Sequence, residues 1–347
     1  MLERLRRSAT LDAIRGLAIT QVFLWHIWIP ALPNYLAAAL NLAWSGVDLF
    51  FVLSGYLIAG ILIDHRDATN YFAVFYGRRF LRIAPLYIVI IAGVSLYDGR
   101  VWWPYLWFGQ NFYWSAAGNW GPEWTNVTWS LAVEEQFYLV LPLLIRLTPP
   151  AFLARAFAAC IVMAPVARLI AVKAFGHPIA AYQLMPCRMD ALFLGALAAW
   201  AIRQPAFVEK TALLKPLLRA GAALGGAGMI AMLIAHVDEL SPVMHTVGYT
   251  WIDLFYFCVL LLAVTGAPPG AWLTAIIRPF SLLGLGAYSI YLFHRPIWIV
   301  TEGLLGGLGR LSMGATTIVT IAAAVACWTL IERPLIRWGH LRLRYEG

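Results

Sequence analysis

Arg15 and His26 stand eleven residues apart inside the first apolar stretch of this 347-residue chain. At about 100° per residue they return to nearly the same helical face, about 16 Å apart along the axis. An ionisable group within lipid costs about 3 kcal/mol or more unless it faces a cavity or a partner. A guanidinium and an imidazole on one stripe therefore point to anion binding and proton transfer rather than to simple anchoring. Histidine suits the second task, because its ordinary pKa of about 6.5 lets it take and return a proton near neutrality.

Six more ionisable groups interrupt later apolar stretches: Asp48, Glu134, Glu135, Arg188, Asp190 and His294. Counting about 1.5 Å per residue from each midpoint puts His26 roughly 9 Å and Asp48 roughly 7 Å to the outer side. Glu134, Glu135 and His294 fall slightly outside the midplane, and Arg188 and Asp190 near the outer end of their stretch. Seven groups from five stretches thus converge in one half of the membrane, more than pairing alone requires. His26 is expected to meet Asp48 or Glu134, either of which would orient its ring and steady the imidazolium. Arg188 and Asp190 are read either as part of that site or as a pair with each other. Glu134 and Glu135 cannot share a helix face, so one must point elsewhere.

On the other side of the membrane Arg79 and Arg82 stand at i, i+3 before Pro85. Two guanidinium forks on one face suit a phosphorylated ligand, which each can grip in bidentate fashion. A patch facing anionic lipid is the competing reading.

The elements that must hold these residues follow from composition. The chain is 62% apolar and 12% charged, against about 25% charged in soluble domains. The expected fold is all-α, a polytopic integral membrane protein with about ten transmembrane helices in one bundle. The stretches run near 11–30, 43–63, 83–97, 127–147, 152–173, 182–202, 212–235, 248–266, 280–302 and 311–335, the fifth broken by Pro165 and Arg168. One transmembrane domain over 1–340 and a short tail over 341–347 are expected, with no fused soluble domain.

Eighteen Lys and Arg fall on the side of the N-terminus: Arg4, Arg6, Arg7, Arg66, Arg78, Arg79, Arg82, Arg146, Arg155, Arg203, Lys210, Lys215, Arg219, Arg278, Arg333, Arg337, Arg342 and Arg344. Only Arg100, Arg168, Lys173, Arg188 and Arg310 fall opposite. The positive-inside rule then makes both termini cytoplasmic and accounts for the net charge of +8 without a nucleic-acid partner. The first stretch is read as a retained helix, since Arg15 interrupts it and no small-residue cleavage site follows. Cys160, Cys187, Cys258 and Cys327 lack paired ligand spacing and read as free thiols, with no metal site expected. Gly284-Leu-Gly286 lies within an apolar stretch and is not read as a nucleotide loop. Residues 101–129 hold seven of the sixteen tryptophans. They read as an interfacial belt or as a platform for sugar rings. Asn126-Val-Thr128 hugs the membrane and is set aside as a glycosylation site.

Six motifs occur together in this order: Leu11-Asp12 with Arg15, ten residues and His26; Gly46-Val-Asp-Leu-Phe-Phe-Val-Leu-Ser-Gly-Tyr56; Arg79-x-x-Arg82 with Pro85; Trp129-Ser-Leu with Glu134; Arg188-Met-Asp190; and Tyr288-Ser-Ile-Tyr-Leu-Phe-His294. Together they resemble the acyltransferase-3 family of membrane O-acyltransferases over nearly the whole chain. The resemblance implies transfer of an acyl group, usually acetyl, from cytoplasmic acyl-CoA to a hydroxyl of a sugar or glycoconjugate at or across a bacterial inner membrane. It implies that Arg15 and His26 are essential and that Arg79 and Arg82 serve the donor. His26 is then expected to act as general base with Asp48 or Glu134 behind it. Arg15 joins Arg79 and Arg82 on the donor, and Arg188, Asp190, Tyr291 and His294 serve the acceptor. Ser54, Asn111 and Tyr291 are candidate oxyanion donors. A small-molecule hydroxyl such as that of a macrolide is an alternative acceptor. A proton-coupled transporter is the alternative class, since it too gathers Asp, Glu and His at mid-membrane.

Overall fold

A computed structural model describes residues 9–98, 103–267 and 270–346, and among them every regular element is helical. Arg4, Arg6, Arg7 and Arg100 of the orientation count lie outside the described residues. In chain order the helices are α1 (Ala9–Phe23), α2 (Asn34–Ala39), α3 (Gly46–Asp64), α4 (Tyr71–Asp98), α5 (Trp103–Leu106) and α6 (Gln110–Ala117). They continue as α7 (Thr128–Leu147), α8 (Leu153–Phe175), α9 (Ile179–Gln183), α10 (Met185–Ala201), α11 (Pro205–Ile234) and α12 (Tyr249–Thr265). The last four are α13 (Ala271–Leu285), α14 (Ala287–Leu305), α15 (Arg310–Cys327) and α16 (Arg333–Arg342).

Among the described residues seven helices are long and apolar enough to cross a membrane, or eight if the bent pair α13–α14 counts as one span. Two expected spans fall short of that test, the helix starting at Ala9 and α7. They carry Asp12, Arg15 and His26, and Glu134, Glu135 and Arg146, so the residues that would do chemistry are what lower their apolarity. The expected span 280–302 is corrected: the chain bends by 69° between α13 and α14, at Gly286, so that range straddles two helices. Helix α8 runs through Pro165 and Arg168, so the fifth stretch is interrupted in its apolarity and not in its helix.

Backbone contact at glycine sets two helix crossings. A Cβ on Gly16 would lie 1.8 Å from the Phe280 carbonyl oxygen, and one on Gly284 would lie 1.9 Å from that of Asp12. Helices α1 and α13 therefore touch main chain to main chain. The same holds for α3 and α10, where Gly55 meets Leu192 at 1.9 Å and Gly195 meets Val52 at 2.0 Å. In lipid, where apolar burial gives no net drive between helices, such close approach lets dispersion hold them together. These crossings fix which polar residues face one another.

Candidate active site

His26 does not sit in ordinary α-helix. Leu24–Trp28 form a π turn closed by the Ile29 N–H on the Leu24 carbonyl. Such single turns are rare, and they redirect side chains at functional sites. The turn carries His26 to His294 on α14, whose Nε2 lies 3.1 Å from His26 Nδ1, with ring centroids 5.0 Å apart. The proton positions follow from the neighbours. His294 Nδ1 lies 2.7 Å from the Tyr291 carbonyl oxygen and 3.2 Å from that of Ile290, and a carbonyl can only accept. Nδ1 of His294 is therefore the protonated nitrogen. Its Nε2, in the neutral ring, accepts from His26 Nδ1–H, which leaves the lone pair of His26 on Nε2.

Two cavities meet beside this pair. A cavity of about 20 Å³, room for about one water or one hydroxyl, is lined by His26 with Trp25, Trp44, Trp129, Tyr182 and Tyr291. A second, of about 1560 Å³, is lined by Arg15, Ser54, Arg79, Arg82, Glu134 and Tyr138 among others. Val47 and Tyr291 line both, so their side chains form the partition. Tyr291 is pinned there: its hydroxyl donates to the Val127 carbonyl at 2.8 Å and lies 2.5 Å from Ser130 Oγ. Arg15 and His26 thus border adjoining spaces, as their common helical stripe predicts.

The wide cavity is an anion site in its chemistry. Arg79 lies over the Tyr138 ring at 5.9 Å, and neither Arg79 nor Arg82 forms an ion pair among the described residues. Arg15 is partly engaged, donating to Asp12 Oδ1 at 2.8 Å. Glu134 lines this cavity with Ser54 and the three guanidiniums, whereas Glu135 is not among the lining residues.

The charged residues of α3 and α10 form a different cluster, and here the sequence expectations need correction. Asp48 does not meet His26: it forms a buried ion pair with Arg188. Arg188 does not pair with Asp190 either. Asp190 Oδ2 accepts from Arg168 Nη1 at 2.8 Å and from the Thr250 hydroxyl at 2.6 Å. Arg168 also donates to the carbonyls of His245 and Cys187. The Arg188 guanidinium lies over the Tyr249 ring at 4.1 Å and over Tyr182 at 5.2 Å. A third carboxyl, Asp253, is fully buried beside them. The physical reason is the glycine-mediated crossing of α3 and α10, which turns Asp48 towards Arg188, while the π turn carries His26 to α14. Glu134 likewise stands with the arginines of the wide cavity and not behind His26. The seven groups therefore split into three sets and form no single site. Arg168 was legible only as a charge inside an apolar stretch, and its partner was not.

All three candidate oxyanion donors already have partners, Tyr291 those given above. Ser54 Oγ lies 2.5 Å from Tyr138 Oη, and Asn111 donates to the Gln183 carbonyl at 3.1 Å, lining neither cavity. In the aromatic segment Trp114 and Trp129 are buried, Trp120 packs edge-on against Tyr182 at 4.9 Å, and Trp103 and Trp107 are exposed. Val101 and Trp102 lie outside the described residues. The segment thus supplies both a wall of the small cavity and a surface belt.

Comparison with known proteins decides the family. The model of an acyltransferase domain family matches residues 8–332, from the start of α1 to the last residue before α16. The chain belongs to this acyltransferase family. Among relatives, it is 28% identical over 338 residues to the peptidoglycan O-acetyltransferase OatA of Listeria monocytogenes, covering 85% of this chain and 50% of the relative. It is 26% identical over 361 residues to the O-acetyltransferase OatA of Staphylococcus aureus, covering 95% of this chain and 57% of the relative. The chain of this family member therefore spans about half the length of these relatives. No solved structure matches it.

Proposed function

We propose that the protein is a membrane O-acetyltransferase that moves acetyl from cytoplasmic acetyl-CoA to a hydroxyl of a carbohydrate, with cell-wall or envelope glycan as the acceptor class. The observation that carries this reading is the position of His26 beside the partition between a wide arginine-lined cavity and a space that admits one hydroxyl. Family membership supports group transfer over the ion-coupled transport considered above, and the names of the two relatives support acetyl and a glycan. Seven arginines counted on the expected cytoplasmic side line the wide cavity, and none of the four described basic residues counted opposite does. That supports donor entry from the cytoplasm and the reading that both termini lie there.

In this mechanism Arg79 and Arg82 hold the donor phosphates, with Arg15 deeper on the α1 stripe, and the thioester arm points towards Tyr291. His26 Nε2 takes the acceptor hydroxyl proton as that oxygen attacks the thioester carbonyl carbon. The tetrahedral intermediate expels the CoA sulfur, and the imidazolium returns its proton to the thiolate. His294 fixes the His26 tautomer, a positioning role in place of the acceptor contact expected for it. Asp48, Arg188 and Asp190 hold the helices in register, and Tyr291 divides donor from acceptor space.

The test is mass spectrometry of envelope glycans from cells carrying the gene, its deletion, or His26→Ala. An acetyl-sized increment found only with the intact gene supports the proposal. Identical glycans in all three remove carbohydrate as acceptor and turn attention to a small-molecule hydroxyl.

A further inference from the structure

One wall of the wide cavity lies beyond the residues the family model matches. Helix α16 leaves a π turn at Glu332, whose carboxylate accepts from Ser289, and lies along α4. Two contacts fit it closely: a Cβ on Gly339 would lie 2.9 Å from Leu81 Cδ1, and one on Gly77 would lie 2.7 Å from Leu343 Cδ1. The following residues are tied to the α3–α4 connection. Arg78 Nε donates to the Leu343 carbonyl at 2.8 Å, Asn70 donates to the Arg344 carbonyl at 2.8 Å, and the Thr69 N–H donates to the Glu346 carbonyl at 2.9 Å. Tyr345 stacks on His65 with centroids 4.0 Å apart.

This built wall presents Arg333 and Arg337, one turn apart on a single face, to the cavity. Other cations of the lining are already engaged. Arg203 pairs with Asp64, Arg66 donates to the Thr148 carbonyl, and Arg78 holds the tail. Arg333 and Arg337 form no ion pair among the described residues. Among the described residues the lining therefore has two pairs of guanidiniums free of ion pairs, Arg79 with Arg82 and Arg333 with Arg337. Coenzyme A carries two separate anionic groups, a diphosphate and a ribose 3′-phosphate.

We infer that Arg333 and Arg337 bind the 3′-phosphate of the acyl-CoA donor, so that α16 makes the protein select the fully phosphorylated coenzyme. The inference rests on acyl-CoA being the donor, with its diphosphate on Arg79 and Arg82. Anionic lipid headgroups offer the same phosphate chemistry, and the experiment separates the two sources.

The full chain in phosphatidylcholine nanodiscs is titrated with CoA and with 3′-dephospho-CoA. CoA is expected to bind about tenfold tighter or more, as charge-assisted hydrogen bonds to one phosphate imply. Arg333→Gln/Arg337→Gln is expected to bring both ligands to the weaker affinity, and Arg333→Lys/Arg337→Lys to restore part of the preference. Arg79→Gln/Arg82→Gln should weaken both ligands and keep their ratio. Equal binding by the unaltered protein overturns the inference while leaving the donor reading intact; failure to bind either ligand overturns the donor reading and the inference with it. A Gln double variant that keeps the CoA preference but loses thermal stabilisation by phosphatidylglycerol assigns these arginines to lipid and also overturns it.

Discussion

Two groups of ionisable residues, one buried and one half-buried, are used in opposite ways in this protein. Around Asp48, Arg188, Arg168 and Asp190 the ions spend their charge on each other, on Thr250 and on carbonyls, stacked against Tyr182 and Tyr249. Around His26, Arg79 and Arg82 the groups face cavities, with a lone pair and guanidinium donors left over. In an amino-acid sequence both appear as charges in apolar stretches. The difference teaches that a polar residue in a membrane is a functional candidate when its hydrogen-bonding capacity exceeds what its neighbours use.

The contrast can be broken from either side. Asp48→Ala should have the largest effect on the fold, because it leaves the Arg188 cation buried without its partner, at a cost of about 3–5 kcal/mol. Thermal unfolding in nanodiscs should show it, and Asp48→Leu combined with Arg188→Met should recover much of the loss. A large effect of Asp48→Ala on transfer with unchanged unfolding would put Asp48 back into the chemistry. On the cavity side, Arg79→Gln with Arg82→Gln should leave unfolding alone and raise KM for acetyl-CoA about 10- to 100-fold, as expected for lost hydrogen bonds to a charged ligand. His294→Phe should act mainly on kcat, by about tenfold or somewhat more, as for other residues that orient a reacting imidazole. A His294 change that moved KM for the acceptor alone would return it to substrate binding.

Much of this division was within reach of the sequence, and the missing part has one cause. The all-α membrane class, the common stripe of Arg15 and His26, and the pairing of Arg79 with Arg82 all follow from composition and helical spacing within one stretch. Depth arithmetic set Asp48 near His26 in height, but height does not give the direction a side chain faces. The azimuth depends on the Gly55–Gly195 crossing and on the π turn at Leu24–Trp28, neither of which leaves a periodic signal. The partners that matter are also remote in the chain, 268 residues apart for His26 and His294 and 140 for Asp48 and Arg188. The bend at Gly286 was hidden for a similar reason, since both α13 and α14 are apolar and only the turn between them separates the spans.

The most direct test pairs two readings on one variant, His26→Gln, purified with the unaltered protein: unfolding temperature in nanodiscs and acetyl transfer to acceptor glycan at saturating acetyl-CoA. Loss of a general base predicts an unfolding temperature close to that of the unaltered protein and transfer reduced about 10²- to 10⁴-fold. Transfer at the unaltered rate would contradict the account, and so would transfer lost together with the fold, because His26 would then belong with Asp48 among the residues that hold the helices.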